Sequence, residues 1–486
     1  MTRQANCNSC AANAGLRAWT PLGTLIALFL SGCTVGPKYV RPTADVPAEF
    51  KESGNWKTAQ PGDALSKGKW WEVYQDSQLN ALEDQVSVSN QNLKIAQAQF
   101  LEARAALKIA RSNYFPSVTG GISATHYHLS QNRPLATTTT DYTDYQLPVD
   151  VSYEPDVWGR VRRTVEASRS EAQATAADLA NVELSLRAEL AFDYFELRGL
   201  DAQKALLDST VVTYQKALEL TQSRYTGGLA SAVEVAQAQT VLETTRAQAT
   251  DVGVQRAALE HAIAVLVGKP AASFSLPPMP LKIPPPAIPP GLPTDLLERR
   301  PDIAGAERRV QEANAGIGVA KSAYFPLLTL TGAGGFESTA ISTLIQGPSG
   351  LWNLGGAAVE TLFDAGNRRG ALDQAYARRD QFIASYQQTV LTAFQEVEDN
   401  LAALRILEDE AKTEEAAVAA AEHSLALSIT RYKGGVTSYL EVTTAQNAAL
   451  ADEVTAVSIL TRRMEASVLL VKAIGGGWSV SQIPPV

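Results

Sequence analysis

Two pairs of side chains in this 486-residue sequence have spacings that suit metal binding. His126 and His128 lie two apart in a segment that alternates like a strand, so both rings are predicted on one face, as metal ligands would be. Cys7 and Cys10 form a Cys-x-x-Cys pair, but no second pair completes a zinc site. Because the sequence offers the histidines no third ligand, we interpret them as residues at the rim of a strand pair and predict no metal site.

The sequence also lacks the usual signatures of an enzyme. It has no Gly-rich phosphate loop and no nucleophile motif, and the carboxylates Glu396 and Glu398 are typical of a charged helix face. The formal net charge is −9, and no basic patch is interleaved with aromatic residues. We therefore expect a protein that is not an enzyme, needs no cofactor and binds no nucleic acid.

The sequence contains an internal duplication. ARSNYFPSVTGG (Ala110 to Gly121) recurs as AKSAYFPLLTLTG (Ala320 to Gly332), and LTQSRYTGGLASAVEVAQAQ (Leu220 to Gln239) recurs as LSITRYKGGVTSYLEVTTAQ (Leu427 to Gln446). Each copy runs through helix, strand pair, long helix, Gly-Gly turn and helix. Such duplication indicates an elongated, pseudo-symmetric conduit or scaffold rather than a globule with one catalytic cleft.

The N-terminal segment has the pattern of a secretion signal. Arg3 and Arg17 precede a short apolar run that ends in Leu-Ser-Gly-Cys33, and this run is too short for a membrane-spanning helix. The pattern resembles a bacterial lipoprotein box, in which Cys33 becomes the acylated first residue, and Thr34 favours the outer membrane. The alternative is an ordinary signal peptide that happens to contain a cysteine. Removal of residues 1–32 would bring the net charge to about −11.

Residues 33–69 are aperiodic and are predicted to form an extended tether. The first helix is expected to follow Asp76 as N-cap, with Leu79, Leu82 and Val86 on one face. It should continue to about Asn113 and end before Pro116, because proline disfavours α conformation in the residue before it.

Beyond Pro116 the hydrophobic period changes from 3.6 to 2, which predicts strands. Residues 145–153 alternate strictly, and 117–129 form the less regular partner strand. In the second copy the strands are expected from about Leu328 and again over about 352–362. One face of these four strands would meet lipid and the other would meet water.

Four strands cannot close a membrane barrel, because lipid leaves edge hydrogen bonds unsatisfied and about eight strands are the minimum. The pattern therefore predicts oligomerisation, in which a trimer gives twelve strands and a dimer gives eight. A soluble sandwich is the alternative.

The segments at about 159–224 and 366–431 contain no proline and few glycines, so each is predicted to be one very long helix. Residues at heptad-like spacing in the first form an apolar seam, namely Leu200, Leu207, Val211, Tyr214 and Leu218. Many small and polar residues elsewhere favour the wall of a water-filled tube. A solid coiled-coil scaffold is the alternative.

The duplication and composition divide the chain into six parts. These are a signal peptide (1–32), the tether (33–69), a first repeat (70–274), a Pro-rich linker (275–293), a second repeat (294–476) and a C-terminal tail (477–486). The linker is polyproline-like and semi-rigid, as a connector of two repeats would be.

Several segments in a fixed order resemble one known family. They are CTVGPKYVRP, WWEVYQDSQLNAL, SYEPDVWGR, LPTDLLERRPDIAGAERRVQEANAGIGVAKSAYFP and the paired RYTGG and RYKGGV turns. From Cys33 to about Gly477, the chain is similar to the TolC-like outer-membrane factors, in the NodT and OprM branch of efflux lipoproteins.

The resemblance implies an α+β membrane protein: a homotrimer whose twelve-stranded outer-membrane β-barrel, with four strands per chain, continues into a long periplasmic α-helical barrel. The loops at about 129–142 and 337–351 would face outside the cell. The linker and both termini would lie around the equator of the α-barrel. The two Gly-Gly turns would form a periplasmic tip that meets a membrane-fusion adaptor coupled to an inner-membrane RND-type pump.

We predict that the tip side chains dock the adaptor and gate the pore. The predicted residues are Arg224, Tyr225, Gly227, Gly228, Ser231, Glu234, Arg431, Tyr432, Gly434, Gly435, Thr437, Ser438 and Glu441. Some relatives carry aspartates after the second turn, whereas this chain has Val436-Thr437-Ser438-Tyr439, which argues against a strongly acidic ring.

The expected function is a passive exit duct of a tripartite efflux pump in the outer membrane. A duct for a type I-like secretion system is a close alternative. A lipid-anchored periplasmic coiled-coil scaffold without a pore is an alternative of a different class.

Overall fold

A computed structural model of the chain describes residues 34–53, 68–132, 141–288, 291 and 293–486. The helices are α1 Ser77–Ser89, α2 Gln91–Ser112, α3 Arg160–Thr226, α4 Ala232–Leu266, α5 Leu296–Arg299, α6 Pro301–Ser322, α7 Asn367–Lys433 and α8 Tyr439–Ala473. The strands are β1 Ser117–Gly120, β2 Ser123–His128, β3 Asp141–Tyr153, β4 Leu327–Ser338 and β5 Gly350–Val359.

The chain forms two compact units. The first comprises the described residues of Met1–Arg41, Ala103–Ala172 and Arg308–Ile383 and contains the sheet. The second comprises the described residues of Pro42–Glu102, Gln173–Glu307 and Ala384–Val486 and contains both Gly-Gly turns. The signal segment, Cys33 and residues 133–140 of the first predicted loop lie outside the described residues.

The two repeats have helices of matching length. Helices α3 and α7 each have 67 residues, and α4 and α8 each have 35. At about 1.5 Å per residue, α3 and α7 are each on the order of 100 Å long. The prediction of two very long helices is therefore confirmed. Within the described residues, no helix is both long enough and apolar enough to cross a membrane.

The predicted first helix is interrupted. Asp76 caps α1 as expected, because its carboxylate accepts from the backbone N–H groups of Gln78 and Leu79, and Leu79 and Val86 are buried. The expectation of one continuous helix to Asn113 is wrong. The chain is extended at Asn90, whose side chain accepts from the Leu93 N–H and donates to the Leu266 carbonyl, so it stops α1 and caps α2.

The strands form one antiparallel sheet in the order β1-β3-β4-β5, with β2 also paired to β3. β1 and β2 keep one register on β3, and the break between them faces Pro148, which has no N–H to donate to a partner strand. The four strand segments predicted from alternation are confirmed, the first of them in these two pieces.

The register places apolar side chains from β1, β3, β4 and β5 on one face. One row across the sheet joins Val118, Val151, Gly332 and Leu354, whereas the next row joins Thr119, Asp150, Ala333 and Asn353. Val118 and Leu354 are exposed, as is Trp352 in a neighbouring row on the same face. Among the described residues, β5 and the β1–β2 strand have one partner strand each and form the two edges of the sheet.

In the second unit, α3 packs closely against α8. A Cβ atom on Gly199 would lie 2.2 Å from Thr461 Oγ1, so this approach requires glycine. Farther along the same helices, the buried Tyr214 hydroxyl donates to the Gln446 carbonyl at 3.0 Å. The predicted seam lies here: Leu207, Tyr214 and Leu218 are buried, and Leu200 and Val211 pack beside them.

The Pro-rich linker is held against α3 by a buried ionic network. The Asp201 carboxylate accepts from Arg198 at 2.9 Å, from Arg256 at 2.7 Å and from the Met279 backbone N–H at 2.8 Å. Arg198 also donates to the Pro277 carbonyl, and Arg256 donates to the Leu276 carbonyl. These bonds fix the path of the linker along the helix.

Arg405 of α7, which aligns with Arg198 of α3 at an offset of 207 residues, binds a different segment of the chain. Arg405 of α7 forms an ion pair with Glu52, in the chain before the first repeat. The backbone N–H groups of Lys51 and Glu52 donate to Glu398 of the same helix at 2.8 and 2.9 Å. Each long helix thus holds one segment from outside the repeats at an equivalent position, and the segment on α7 is a 3-10 turn over Lys51–Ser53.

We predict that Gly199→Ala lowers the free energy of unfolding by about 1–3 kcal/mol, because the added methyl group forces α3 away from α8. Gly253→Ala in α4 is the matched control: its Cβ would meet no atom within 4 Å, so it should stabilise by about 0.5–1 kcal/mol. Unfolding midpoints of the purified full-length variants measure both effects. Equal midpoints for the two variants would contradict the close approach.

Candidate functional site

The two Gly-Gly turns have the same backbone geometry. Gly228 and Gly435 end α3 and α7 with φ values of 74° and 73°, which glycine adopts readily. After the first turn the Leu229 N–H donates to the Arg224 carbonyl at 2.7 Å, and after the second the Val436 N–H donates to the Arg431 carbonyl at 3.0 Å. Both are Schellman-type helix ends, which satisfy carbonyl groups left open by the helix.

The helices that follow the turns begin differently. The Ser231 hydroxyl accepts from the Glu234 N–H at 3.4 Å and caps α4. Ser438 precedes α8 without a side-chain capping bond. There the Thr437 hydroxyl donates to the Glu441 carboxylate instead. The predicted serine and glutamate pairs are therefore equivalent in position but differ in contacts.

Tyr432 joins the two turns. Its ring is only 3% exposed and packs edge-on against Tyr439, with 5.2 Å between ring centroids. Its hydroxyl donates to the Glu234 carboxylate of the first repeat at 3.0 Å. The Arg224 guanidinium lies 4.8 Å from the Tyr432 ring centroid and donates to the Lys433 carbonyl at 3.1 Å. Residues of both repeats thus meet around one tyrosine.

Burial raises the pKa of the Tyr432 hydroxyl, and the neighbouring Glu234 carboxylate raises it further, against opposing effects of Thr221 and Arg224. The hydroxyl therefore stays protonated at neutral pH and can donate to Glu234. Hydrogen bonds that involve a charged group contribute about 1.5–3 kcal/mol each. The bonds from Tyr432 to Glu234 and from Arg224 to the Lys433 carbonyl are therefore both substantial links between the two turns.

Tyr225 and Arg431, the repeat equivalents of Tyr432 and Arg224, have different surroundings. Tyr225, at the repeat-equivalent position, is 49% exposed. Arg431, the counterpart of Arg224, lies 3.3 Å from Glu441 of its own repeat, in an ion pair that is open to solvent. The duplicated Arg-Tyr motif therefore supplies one contact between the repeats and one exposed surface.

The sequence-based selection missed the apolar residues of the turns. Leu229 and Val436 follow the glycine pairs and are 71% and 72% exposed. Val233 and Leu440, four residues farther on, are exposed as well. In a Schellman end the residue at this position often packs against its own helix. The signal that could have identified these residues was the recurrence of apolar side chains at matched positions after each Gly-Gly pair.

The structure gives the predicted rim histidines hydrogen-bond partners. His128 lies 2.7 Å from the Asp141 carboxylate, and His126 lies 3.1 Å from the Thr143 hydroxyl on the paired strand. In the part of the chain that the structure describes, no group of three His, Cys, Asp or Glu side chains is placed to hold a metal ion.

Comparison with known proteins agrees with this architecture. The family model for outer membrane efflux protein matches residues 82–269 and 292–476. The probable efflux pump outer membrane protein SepC of Pseudomonas putida is 33% identical over 466 residues, covering 94% of this chain and 96% of that protein. Outer membrane protein OprJ of Pseudomonas aeruginosa is 31% identical over 460 residues, covering 93% of this chain and 95% of that protein.

The outer-membrane channel OprN is a similar solved structure, with a TM-score of 0.87 and 29% identity, covering 92% of this chain and all of that one. The predicted TolC-like α+β fold is confirmed. The predicted role in efflux at the outer membrane is also confirmed, and the family consists of channels rather than enzymes. The chain belongs to the outer membrane efflux protein family.

Proposed function

We propose that three copies of this chain form the exit duct of a tripartite efflux pump. An inner-membrane RND-type transporter supplies the energy, and a periplasmic membrane-fusion adaptor links it to the duct. The observation that carries the proposal is the sheet of the first unit, which has an apolar face, a polar face and two edges whose outer sides have no partner strand among the described residues.

The sheet supports a closed assembly for a physical reason. In lipid, every backbone N–H and C=O group needs a partner within the protein, so the edge of one copy must pair with the edge of another. Each copy supplies four strand positions, because β1 and β2 share one position beside β3. Three copies then give the proposed twelve-stranded barrel, with Trp352 and Leu354 among the side chains facing lipid.

We also propose that each of the two repeats, 70–274 and 294–476, supplies one long helix and one return helix to the wall of the duct. The equal lengths of α3 and α7, and of α4 and α8, support this division. The Gly-Gly turns would then lie together at the periplasmic tip.

Gating is proposed to use the contacts around Tyr432. In the structure, contacts of Glu234 and Arg224 with Tyr432, and of Arg224 with Lys433, tie α7 to the first repeat. Opening of the tip requires the paired helices to separate, so these bonds must break. The exposed pair of Arg431 and Glu441 is available for contacts with a neighbouring copy.

Docking of the adaptor is proposed to use the exposed apolar residues beside the turns. Leu229, Val233, Val436 and Leu440 form two equivalent pairs, one for each repeat. Apolar side chains flanked by charged ones are typical of the centre of a protein interface. A trimer would present six such pairs, which suits an adaptor assembly with a multiple of three hairpins.

We propose that Cys33 carries lipid, which together with the inserted strands holds the protein in the outer membrane. The mass of the N-terminal peptide of the mature protein tests this. A peptide that begins at residue 33 and carries added acyl mass is expected, whereas an unmodified N-terminus elsewhere would exclude lipidation.

Planar-bilayer conductance tests the duct and its gate. For the purified wild-type trimer we expect small or rare openings, which become larger or more frequent in Arg431→Ala/Tyr432→Ala. Tyr432→Phe keeps the buried ring but loses the bond to Glu234, and should open more often than wild type. Tyr225→Phe, at the exposed equivalent position, is the control and should behave as wild type.

A confirmed trimer that conducts in none of these variants would exclude the duct and favour a scaffold without a pore. Equal effects of Tyr432→Phe and Tyr225→Phe would be consistent with the duct but would exclude the bond between Tyr432 and Glu234 as part of the gate.

Binding of the adaptor tests the docking surface. We expect Leu229→Ser/Val436→Ser to weaken co-purification of the cognate adaptor about tenfold, which corresponds to about 1.4 kcal/mol. Val254→Ser in α4, also an exposed valine, is the control and should bind as wild type. Trimer yield must be equal in all samples. Unchanged binding by the double variant would contradict docking at these residues.

A further inference from the structure

Helices α3 and α8 run antiparallel with a register that two contacts define. Gly199 faces Thr461 at the closest approach of the two helices. Tyr214 bonds to the Gln446 carbonyl, so a step of 15 residues along α3 corresponds to an equal step backwards along α8. The positions on the two helices that face one another follow from these two points.

Carboxyl groups from both helices lie one turn from this closest approach. Glu196 precedes Gly199 by three residues, and Glu465 follows Thr461 by four. In an antiparallel pair these positions lie in the same layer of the seam. Asp193 is three residues before Glu196, and Glu189 is four before Asp193, so both continue the acidic face of α3.

The side chains around these carboxyls are mainly acidic. The charged neighbours that act on Asp193 are Glu189 and Glu196, both on α3. Those that act on Glu465 are Glu196 across the seam and Arg462 on α8. Arg462 also lies 3.8 Å from Glu410 of α7, so its charge is shared between two acids.

Close packing therefore places like charges where water is partly excluded. Burial raises the pKa of Asp193 to about 7, and repulsion from Glu189 and Glu196 contributes to the rise. Burial also raises the pKa of Glu465 to about 7, with Glu196 raising it further and Arg462 opposing. Both groups exchange protons in the neutral range.

We propose that Glu465 of α8, packed across the seam from Glu196 of α3, forms a proton-binding joint between the two helices, which tightens when the Glu465 carboxyl is protonated and loosens when it ionises. The joint is a property of the helix pair and does not depend on the proposed duct. It makes the packing of α8, the return helix after the second Gly-Gly turn, responsive to pH.

The direction of the effect follows from proton linkage. Glu465 binds a proton more tightly in the packed helices than in an opened chain, where its pKa is 4.5. Its contribution to stability is fully present below that ordinary value. It is lost as pH rises through about 7, the value in the packed state.

The duplicate positions lack these groups. When the two repeats are aligned at their offset of 207 residues, Asp193 and Glu196 of α3 correspond to Asn400 and Ala403 of α7. Glu465 of α8 corresponds to Ala258 of α4. Glu396, the counterpart of Glu189, is paired with Arg300 at 2.6 Å. The acidic seam is therefore confined to α3 and α8, and α4 serves as an internal control.

Hydrogen exchange of the full-length protein tests the joint. Between about pH 5.5 and about pH 8, after correction for intrinsic exchange rates, protection of the α8 amides over 461–473 should fall on the order of tenfold more than that of the α4 amides over 254–266. Glu465→Gln and Glu196→Gln should each reduce this difference, because the first variant cannot ionise at the joint and the second removes the charge that repels Glu465.

Asp452→Asn, on the same helix, is the control for loss of one negative charge and should leave the pH difference as in wild type. Equal pH responses of α8 and α4 in the wild-type protein would overturn the proposal even if a variant failed to fold. So would a wild-type pH response in both amide variants. None of these outcomes requires transport, so the joint and the duct are tested separately.

Discussion

The path of the linker between the repeats depends on the Asp201 carboxylate. It accepts hydrogen bonds from two arginines and from the linker backbone, and it is nearly inaccessible to water. A buried carboxylate is stable only when its lone pairs are satisfied by positive or N–H donors. The linker backbone is therefore one of the groups that stabilise this buried charge, and the charge in turn fixes the first residues of the linker beside α3.

Local patterns predicted the regular elements because their causes are local. The alternation of apolar and polar residues predicted the strands, and the absence of proline predicted the two helices that have 67 residues each. Asp76 was correctly predicted as an N-cap. The break at Asn90 was missed because its side chain bonds to Leu266, which lies 176 residues away in sequence. The network around Asp201 was missed for the same reason, since its donors come from two helices and the linker.

The residues of the two Gly-Gly turns were predicted as a set, but their arrangement was not. The duplication identified the Arg-Tyr and Gly-Gly positions, and glycine chemistry explained both turns. The duplication could not indicate that Tyr432 is buried while Tyr225 is exposed, because equivalent positions in two repeats have different neighbours. The exposed Leu229 and Val436 were overlooked because single apolar residues in a sequence do not reveal whether anything covers them.

Duplication therefore fixes where a side chain stands on its helix, but not what it contacts. Arg198 holds the linker whereas Arg405 holds the segment before the first repeat. Arg224 contacts Tyr432 of the other repeat whereas Arg431 pairs with Glu441 of its own. The two members of each pair thus have different contacts, so two similar repeats supply both links within the chain and exposed surfaces.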